Sequence, residues 1–190
     1  FSKFIEKKDK AKFMEKMMRK AGRRRLVLGL LLTGSALLLA RPGLAQDAGP
    51  TGKKILTISG KIGAGQAGAK VAFDLSRLES LPQRSFTTQT PWQDKPVQFS
   101  GPLLRDVLAS VKAQGSQLKA IALNDYKVSI PVSDSLRFDV VLALRINGEL
   151  IPVRHKGPLF VVYPYDSDEE LRNTLYYSRS IWQLKAIEVE

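Results

Sequence analysis

The chain has 190 residues, 44% hydrophobic and 25% charged, which suits one domain with a substantial core. Its net charge of +12 is uneven: residues 1–45 carry 12 basic and three acidic residues, and residues 46–190 carry 18 and 15, so we expect no nucleic-acid groove in the folded part. With no cysteine and His155 as the only histidine, the chain can form no disulfide, thiolate nucleophile or His-rich metal centre, and we expect no zinc, haem or iron–sulfur cluster.

The first 45 residues have the pattern of an export signal. Arginines 23–25 precede the apolar run 26–40, and small residues at 43–45 suit cleavage before Gln46. An apolar run of 15 residues is shorter than the roughly 20 needed to span a bilayer, so the pattern predicts a signal peptide and a periplasmic protein. The arginines are similar to a twin-arginine signal. An uncleaved anchor is the alternative, and we expect the true start at Met14, Met17 or Met18.

The next elements alternate between short strands and one short helix. Residues 46–53, rich in Gly, Pro and Ala, form the predicted linker, and residues 54–190 form the predicted domain. Strands are expected at 55–59 and 71–73, and a helix capped by Asp74 or Ser76 runs through Leu81. The stretch SFTTQTPWQ, residues 85–93, is either the polar wall of a ligand site or a strand closed by Pro91. A short strand follows at 96–99.

The second half contains the clearest helix and most of the strands. The helix begins at residues 100–102, buries one apolar face and ends at Gly115. Strands are expected at 119–123, 127–130, 140–146, 149–153, 159–163 and 181–189, with a hairpin turn at Asn147-Gly148. Because strands and helices do not alternate regularly, the pattern predicts an α+β fold with mixed β-sheets and a few short helices.

Several segments are candidates for a site, and each also has an ordinary structural interpretation. The run 154–156 is an anion site or a solvated loop before Gly157-Pro158, and the turn 124–126 faces a ligand or only reverses the chain. Residues 176–182 concentrate aromatic side chains, which core packing also explains. The acidic run 166–170 lacks the spacing of a calcium loop and is rejected as a metal site.

Taken in order, these segments resemble the sulfite-oxidase-like molybdopterin-binding domain, in particular its small single-domain exported members. The residues that carry the resemblance are Leu56–Gly60, Phe73–Leu75, Trp92, Gly101–Leu108, Leu142–Leu144 with Asn147-Gly148, the block 155–164 and Ser180–Leu184. The likeness spans nearly all of residues 54–190.

The resemblance implies a cofactor site, and this chain departs from the family's pattern at three positions of it. The family's molybdenum-ligating cysteine falls at Thr88, and its arginine and lysine for the pterin phosphate fall near Phe160 and Ile181. A threonine hydroxyl is a poor substitute for a soft thiolate. The residues expected to line the cofactor or another small anionic ligand are Thr88, Trp92, Asn124, Asp125, Tyr126, Arg154, His155, Lys156, Tyr163, Tyr177 and Arg179.

Three functions follow as hypotheses. The first is a molybdopterin-dependent oxidoreductase whose metal is held mainly by the pterin dithiolene, with Thr88 or water near it. The second is a non-catalytic periplasmic binding or sensory module with a degenerate metal site. The third is an anchored structural or partner-binding domain, which requires an uncleaved leader and is the one route to a membrane that the sequence suggests.

Overall fold

The structure is a computed structural model that describes residues 51–63 and 69–190. The predicted leader and most of the predicted linker lie outside the described residues, so both remain predictions. No helix in the part of the chain that the structure describes has the length and apolar character needed to cross a bilayer.

The described elements are short strands separated by four short α-helices and two 3₁₀ turns. The helices are α1 Leu75–Glu79, α2 Leu104–Ser110, α3 Val132–Arg137 and α4 Thr174–Arg179, and the turns are Val153–His155 and Glu169–Leu171. The strands are β1 Leu56–Gly60, β2 Lys70–Phe73, β3 Gln83–Thr88, β4 Val97–Pro102, β5 Gln117–Ala122, β6 Lys127–Pro131, β7 Val141–Ala143, β8 Arg145–Ile146, β9 Glu149–Leu150, β10 Phe160–Val162 and β11 Leu184–Val189.

The largest sheet is mixed and has the order β2-β1-β11-β5-β6. β1 pairs in parallel with the last strand, β11, and all other neighbours in this sheet are antiparallel. A second sheet pairs β10 with β7, and a third has the order β3-β4-β8-β9, both antiparallel. Mixed sheets with a few short helices confirm the predicted α+β class.

The apolar run 140–146 is divided between two sheets instead of forming one strand. Residues 141–143 pair with β10, whereas Arg145 pairs with Ser100 of β4. Leu144 lies between them, buried, and donates its amide to the Ser100 carbonyl over 2.9 Å. Residues 140–144 are continuously apolar because all five are buried.

The tight turn at Asn147-Gly148 is confirmed. Both residues have positive φ, 50° and 85°, which the type I′ hairpin turn requires. β9 is shorter than predicted, and the chain beyond it leads into the 3₁₀ turn at Val153–His155.

One helix start agrees with a predicted alternative, and one helix end differs from the prediction. The cap of α1 is Asp74, whose carboxylate accepts from the Arg77 amide over 2.8 Å, so the alternative cap at Ser76 is wrong. Helix α2 ends at Ser110, before Gly115. Gly115 instead permits a close backbone approach, because a Cβ there would collide with the Glu190 carbonyl oxygen.

Candidate functional site

A cavity of about 420 Å³ lies where the end of β5, helix α4 and the loop after β3 meet. It is lined by four aromatic side chains and by neutral polar groups, and none of its described lining residues carries a formal charge at neutral pH. The chain has two tryptophans, and both line this cavity. The lining residues are Trp92, Ala122, Asn124, Tyr126, Thr174, Tyr177, Ser178, Ser180, Ile181 and Trp182.

Trp92 is the centre of the aromatic cluster beside the cavity. Its ring centroid lies 5.6 Å from those of Phe160 and Trp182, 6.2 Å from Tyr177 and 6.4 Å from Tyr165. All four contacts are edge-to-face, the arrangement that aromatic quadrupoles favour, and such pairs typically contribute about 0.5–1.5 kcal/mol each beyond their buried area. The cluster therefore holds Trp92 in position.

Lys156 approaches the same cluster from outside the cavity. Its Nζ lies 5.4 Å from the Trp92 centroid, 5.5 Å from the Trp182 centroid and 6.0 Å from the Phe160 centroid. The ring faces attract the ammonium group, but it forms no ion pair with any described carboxylate. Burial lowers the pKa of Lys156. The result is a partly buried cation with no counter-charge from the described protein.

A buried ion pair attaches helix α4 to helix α3. Asp134 is 5% exposed, and its Oδ2 accepts both the Tyr163 hydroxyl and an Arg179 guanidinium N–H, each over 2.8 Å. Burial, and next the hydrogen bond to Asp134, raises the pKa of Tyr163, so this phenol is neutral. Arg179 ends α4, whose Ser178 lines the cavity. Tyr163 and Arg179, both predicted site residues, therefore have a structural role as partners of Asp134.

Thr88 is buried at the end of β3 and its hydroxyl is already bonded. The Oγ1 accepts the Asp166 amide over 3.1 Å and lies 3.4 Å from the Gln89 carbonyl, to which it donates. The Asp166 carboxylate in turn accepts the Gln89 amide over 2.7 Å. These bonds close the loop after β3 against the segment following β10, and Thr88 does not line the cavity.

The structure separates the remaining predicted residues. Asn124 and Tyr126 line the cavity, and the Asn124 side chain accepts the Tyr126 amide over 3.2 Å. Asp125 lies 2.6 Å from the Lys185 ammonium, and this hydrogen bond lowers the pKa of Asp125. His155 lines a separate cleft together with Lys156, and Arg154 is exposed.

Of the eleven predicted site residues, the cavity unites four, and it includes residues that the sequence reasoning left out. The four are Trp92, Asn124, Tyr126 and Tyr177. Trp182, which is 40% exposed, belongs to the aromatic segment 176–182 but was not among the predicted site residues. No sequence signal identifies Asp134, since an isolated acidic residue near the start of a helix is ordinary.

A family model described as the oxidoreductase molybdopterin binding domain matches residues 64–166, slightly more than half of the chain. The chain therefore belongs to this family, and the resemblance seen in the sequence is confirmed. The match includes Thr88, Trp92 and Lys156 and ends before helix α4. A search of curated proteins gave no match to the chain.

The residues at the expected cofactor positions do not fit a molybdenum centre. Thr88 offers a hydroxyl that is bonded on both sides instead of a thiolate. Phe160 and Ile181, at the expected phosphate positions, are apolar and buried. Arg179 is occupied by Asp134. Within the described residues, no three His, Cys, Asp or Glu side chains are grouped to hold a metal ion.

Proposed function

We propose that this protein is a non-catalytic binding module of the oxidoreductase molybdopterin-binding domain family, and that its aromatic cavity binds a small planar molecule. The observation that carries the proposal is the lining of the cavity, with four aromatic side chains and no charge among its described residues. Ligand pockets typically combine apolar and aromatic walls with a few polar groups that set orientation.

The shape and chemistry of the lining favour a flat ring over an aliphatic chain. Aromatic side chains contact planar molecules by offset stacking or edge-to-face geometry. Asn124 and Thr174 supply neutral donors and acceptors for the ligand's polar atoms. Lys156, behind Trp92 and Trp182, makes the surroundings positive and disfavours a cationic ligand.

The position of Thr88 supports binding without metal chemistry. Its hydroxyl joins two segments of the chain, so the position that the family uses for a ligating sulfur serves here to close a loop. We propose no redox step. Protein exported from a host that makes the molybdenum cofactor should contain far less than one molybdenum per chain, and a content near one would overturn this part of the proposal.

The test uses tryptophan fluorescence, because both tryptophans line the cavity. The probes are benzamide and cyclohexanecarboxamide, which share a neutral carboxamide and differ in the planarity of the ring. Benzamide should bind more tightly and should change the emission. Equal binding of the two, or none, would refute a site for planar rings.

Tyr126→Ala provides the matched variant. Tyr126 lines the cavity and is 53% exposed, so its loss should leave the fold intact. Losing a ring contact worth about 1 kcal/mol predicts roughly five-fold weaker benzamide binding. The control is Leu136→Ala, an exposed apolar residue of α3 that does not line the cavity. If both variants bind equally well, the ligand does not occupy this cavity.

We also propose that the module is exported, on the strength of the basic and apolar pattern of residues 19–45. Cell fractionation should find the protein in the periplasm. Retention in the cytoplasm would contradict the proposal. Export that survives replacement of Arg23, Arg24 and Arg25 by lysine would indicate a route that does not need the paired arginines.

A further inference from the structure

A second cleft beside Trp92 has a volume of about 560 Å³. Trp92 lines both this cleft and the aromatic cavity. The loop 151–157 and the β8–β9 hairpin form its walls, and Lys156 and His155 lie on one of them. Apart from Trp92 and Lys156, the residues of this cleft have no role in the proposed binding of a planar ring.

Two residues that line the cleft, Gln93 and Lys156, each have a polar group with no polar partner. The Gln93 Oε1 is buried and accepts no hydrogen bond within the part of the chain that the structure describes. The Lys156 ammonium has no hydrogen bond or ion pair with a described residue. A buried acceptor without a donor typically costs about 1–3 kcal/mol, and a partly buried cation without an anion is also unfavourable. Such groups call for an explanation, and a ligand that pairs with both supplies one.

The two groups have opposite requirements. Gln93 Oε1 needs an N–H or O–H donor, and Lys156 needs an anion. The cleft also contains the exposed carboxylate of Glu149, which favours a positive charge on the donor, and an apolar wall of Ile146, Leu150 and Ile151. A free α-amino acid with an apolar side chain carries all three features on adjacent atoms.

We propose that this cleft binds an apolar α-amino acid, with its carboxylate on Lys156 and its ammonium group toward Gln93 Oε1 and Glu149. The cleft volume of about 560 Å³ exceeds that of such a molecule, and the Gln93 side chain, whose Oε1 is buried, must turn toward the cleft to accept the ammonium group. The His155 imidazole lies on the same wall and is available as a second donor to the carboxylate.

The test is an NMR titration of the full chain with L-leucine and two analogues that each lack one charge. 4-Methylpentanoate lacks the amino group, and leucinamide lacks the carboxylate. L-Leucine should bind at least ten-fold more tightly than either, with shifts at the amides of Gln93 and Lys156. Equal binding of leucine and 4-methylpentanoate would reduce the cleft to an anion site and overturn the proposal. Absence of leucine binding at millimolar concentration would also overturn it.

Two variants locate the binding. Lys156→Met keeps the aliphatic stem on the rings but removes the charge, and Gln93→Leu removes the unpartnered acceptor. Each should weaken leucine binding at least ten-fold. The control, Lys185→Met, removes a lysine that pairs with Asp125 outside the cleft and should leave leucine binding unchanged. Unchanged binding in both test variants would refute the assignment.

The two proposed sites can fail separately. Tyr126 lines the aromatic cavity and Gln93 lines the cleft, so benzamide binding should respond to Tyr126→Ala and leucine binding to Gln93→Leu. Loss of leucine binding in Tyr126→Ala, with leucine binding in Gln93→Leu unchanged, would place the amino acid in the aromatic cavity and overturn the cleft assignment.

Discussion

Replacing Asp134 by alanine should destabilise the protein more than any change at its surface. The substitution leaves the Arg179 guanidinium without its anion and the Tyr163 hydroxyl without its acceptor, and both groups contacted the same oxygen over 2.8 Å. Breaking a buried ion pair from one side typically costs about 3–5 kcal/mol. Arg179 keeps 17% side-chain exposure, and water reaches it in part, so we expect about 3 kcal/mol.

Asp134→Asn distinguishes the loss of charge from the loss of the acceptor. The amide oxygen can still accept from Tyr163 or Arg179, so this variant should lose about 1.5–2 kcal/mol, the value of a charge-assisted hydrogen bond. A variant with both Asp134→Leu and Arg179→Met removes the pair together and should recover the part of the stability lost to the unpaired Arg179, whereas the Tyr163 hydroxyl stays without its acceptor.

Urea unfolding followed by circular dichroism measures these differences as a shift of the midpoint at constant slope. A loss below about 1 kcal/mol in Asp134→Ala would show that the pair is solvated and does not hold α4. A further readout is the cavity itself. Because α4 contributes Thr174, Tyr177 and Ser178 to the wall, benzamide binding should weaken in Asp134→Ala even at temperatures where the protein stays folded.

Two further predictions concern the stability of the fold around the sites. Hydrogen bonds from the Arg77 and Gly52 amides lower the pKa of Asp74. The stabilising effect of Asp74 is therefore present above its unfolded pKa, near 3.9, and is lost as pH falls through the lower folded value. Asp74→Asn should lose less stability than the wild type between pH 5 and pH 2, and an identical loss in acid titrations of unfolding would contradict this. Gly157→Ala should destabilise the protein by about 3 kcal/mol because the new Cβ would collide with the Ile151 carbonyl oxygen. Gly148→Ala has open space around it and should cost only the strain of a positive φ, about 1 kcal/mol. Equal decreases in the thermal unfolding midpoint of the two variants would refute the clash.

The predictions that succeeded from sequence depend on local chemistry. Asn147-Gly148 forms the expected turn because both residues tolerate positive φ. The boundary at Leu144 was not predictable in this way, since the change of partner from β10 to β4 depends on strands that are distant in sequence. Likewise, Gly115 has the composition of a helix stop, but its role is set by the approach of residue 190.

The candidate site was likewise predictable from the sequence only in part. The sequence identified Trp92, Tyr126 and Tyr177 as candidates through the family resemblance and their segments, and the structure places all three at one cavity. It also grouped Arg154, Lys156 and Arg179 as an anion site. The fold separates them, because Arg179 pairs with buried Asp134 and Lys156 lies on aromatic rings. Charge patterns in a sequence do not reveal which cations are already neutralised.

The three departures at Thr88, Phe160 and Ile181 have a common consequence. Where the resemblance implies a soft metal ligand and two phosphate partners, this chain has a bonded hydroxyl and two buried apolar side chains. Phe160 packs edge-to-face against Trp92 and Trp182, so the position implied for an arginine instead strengthens the aromatic wall. The substitutions are therefore mutually consistent. Together they remove the thiolate and the positive charges that a molybdenum cofactor needs, and Phe160 and Ile181 place apolar side chains at the aromatic cluster and the cavity, which favours the proposed binding module over an oxidoreductase with a single lost ligand.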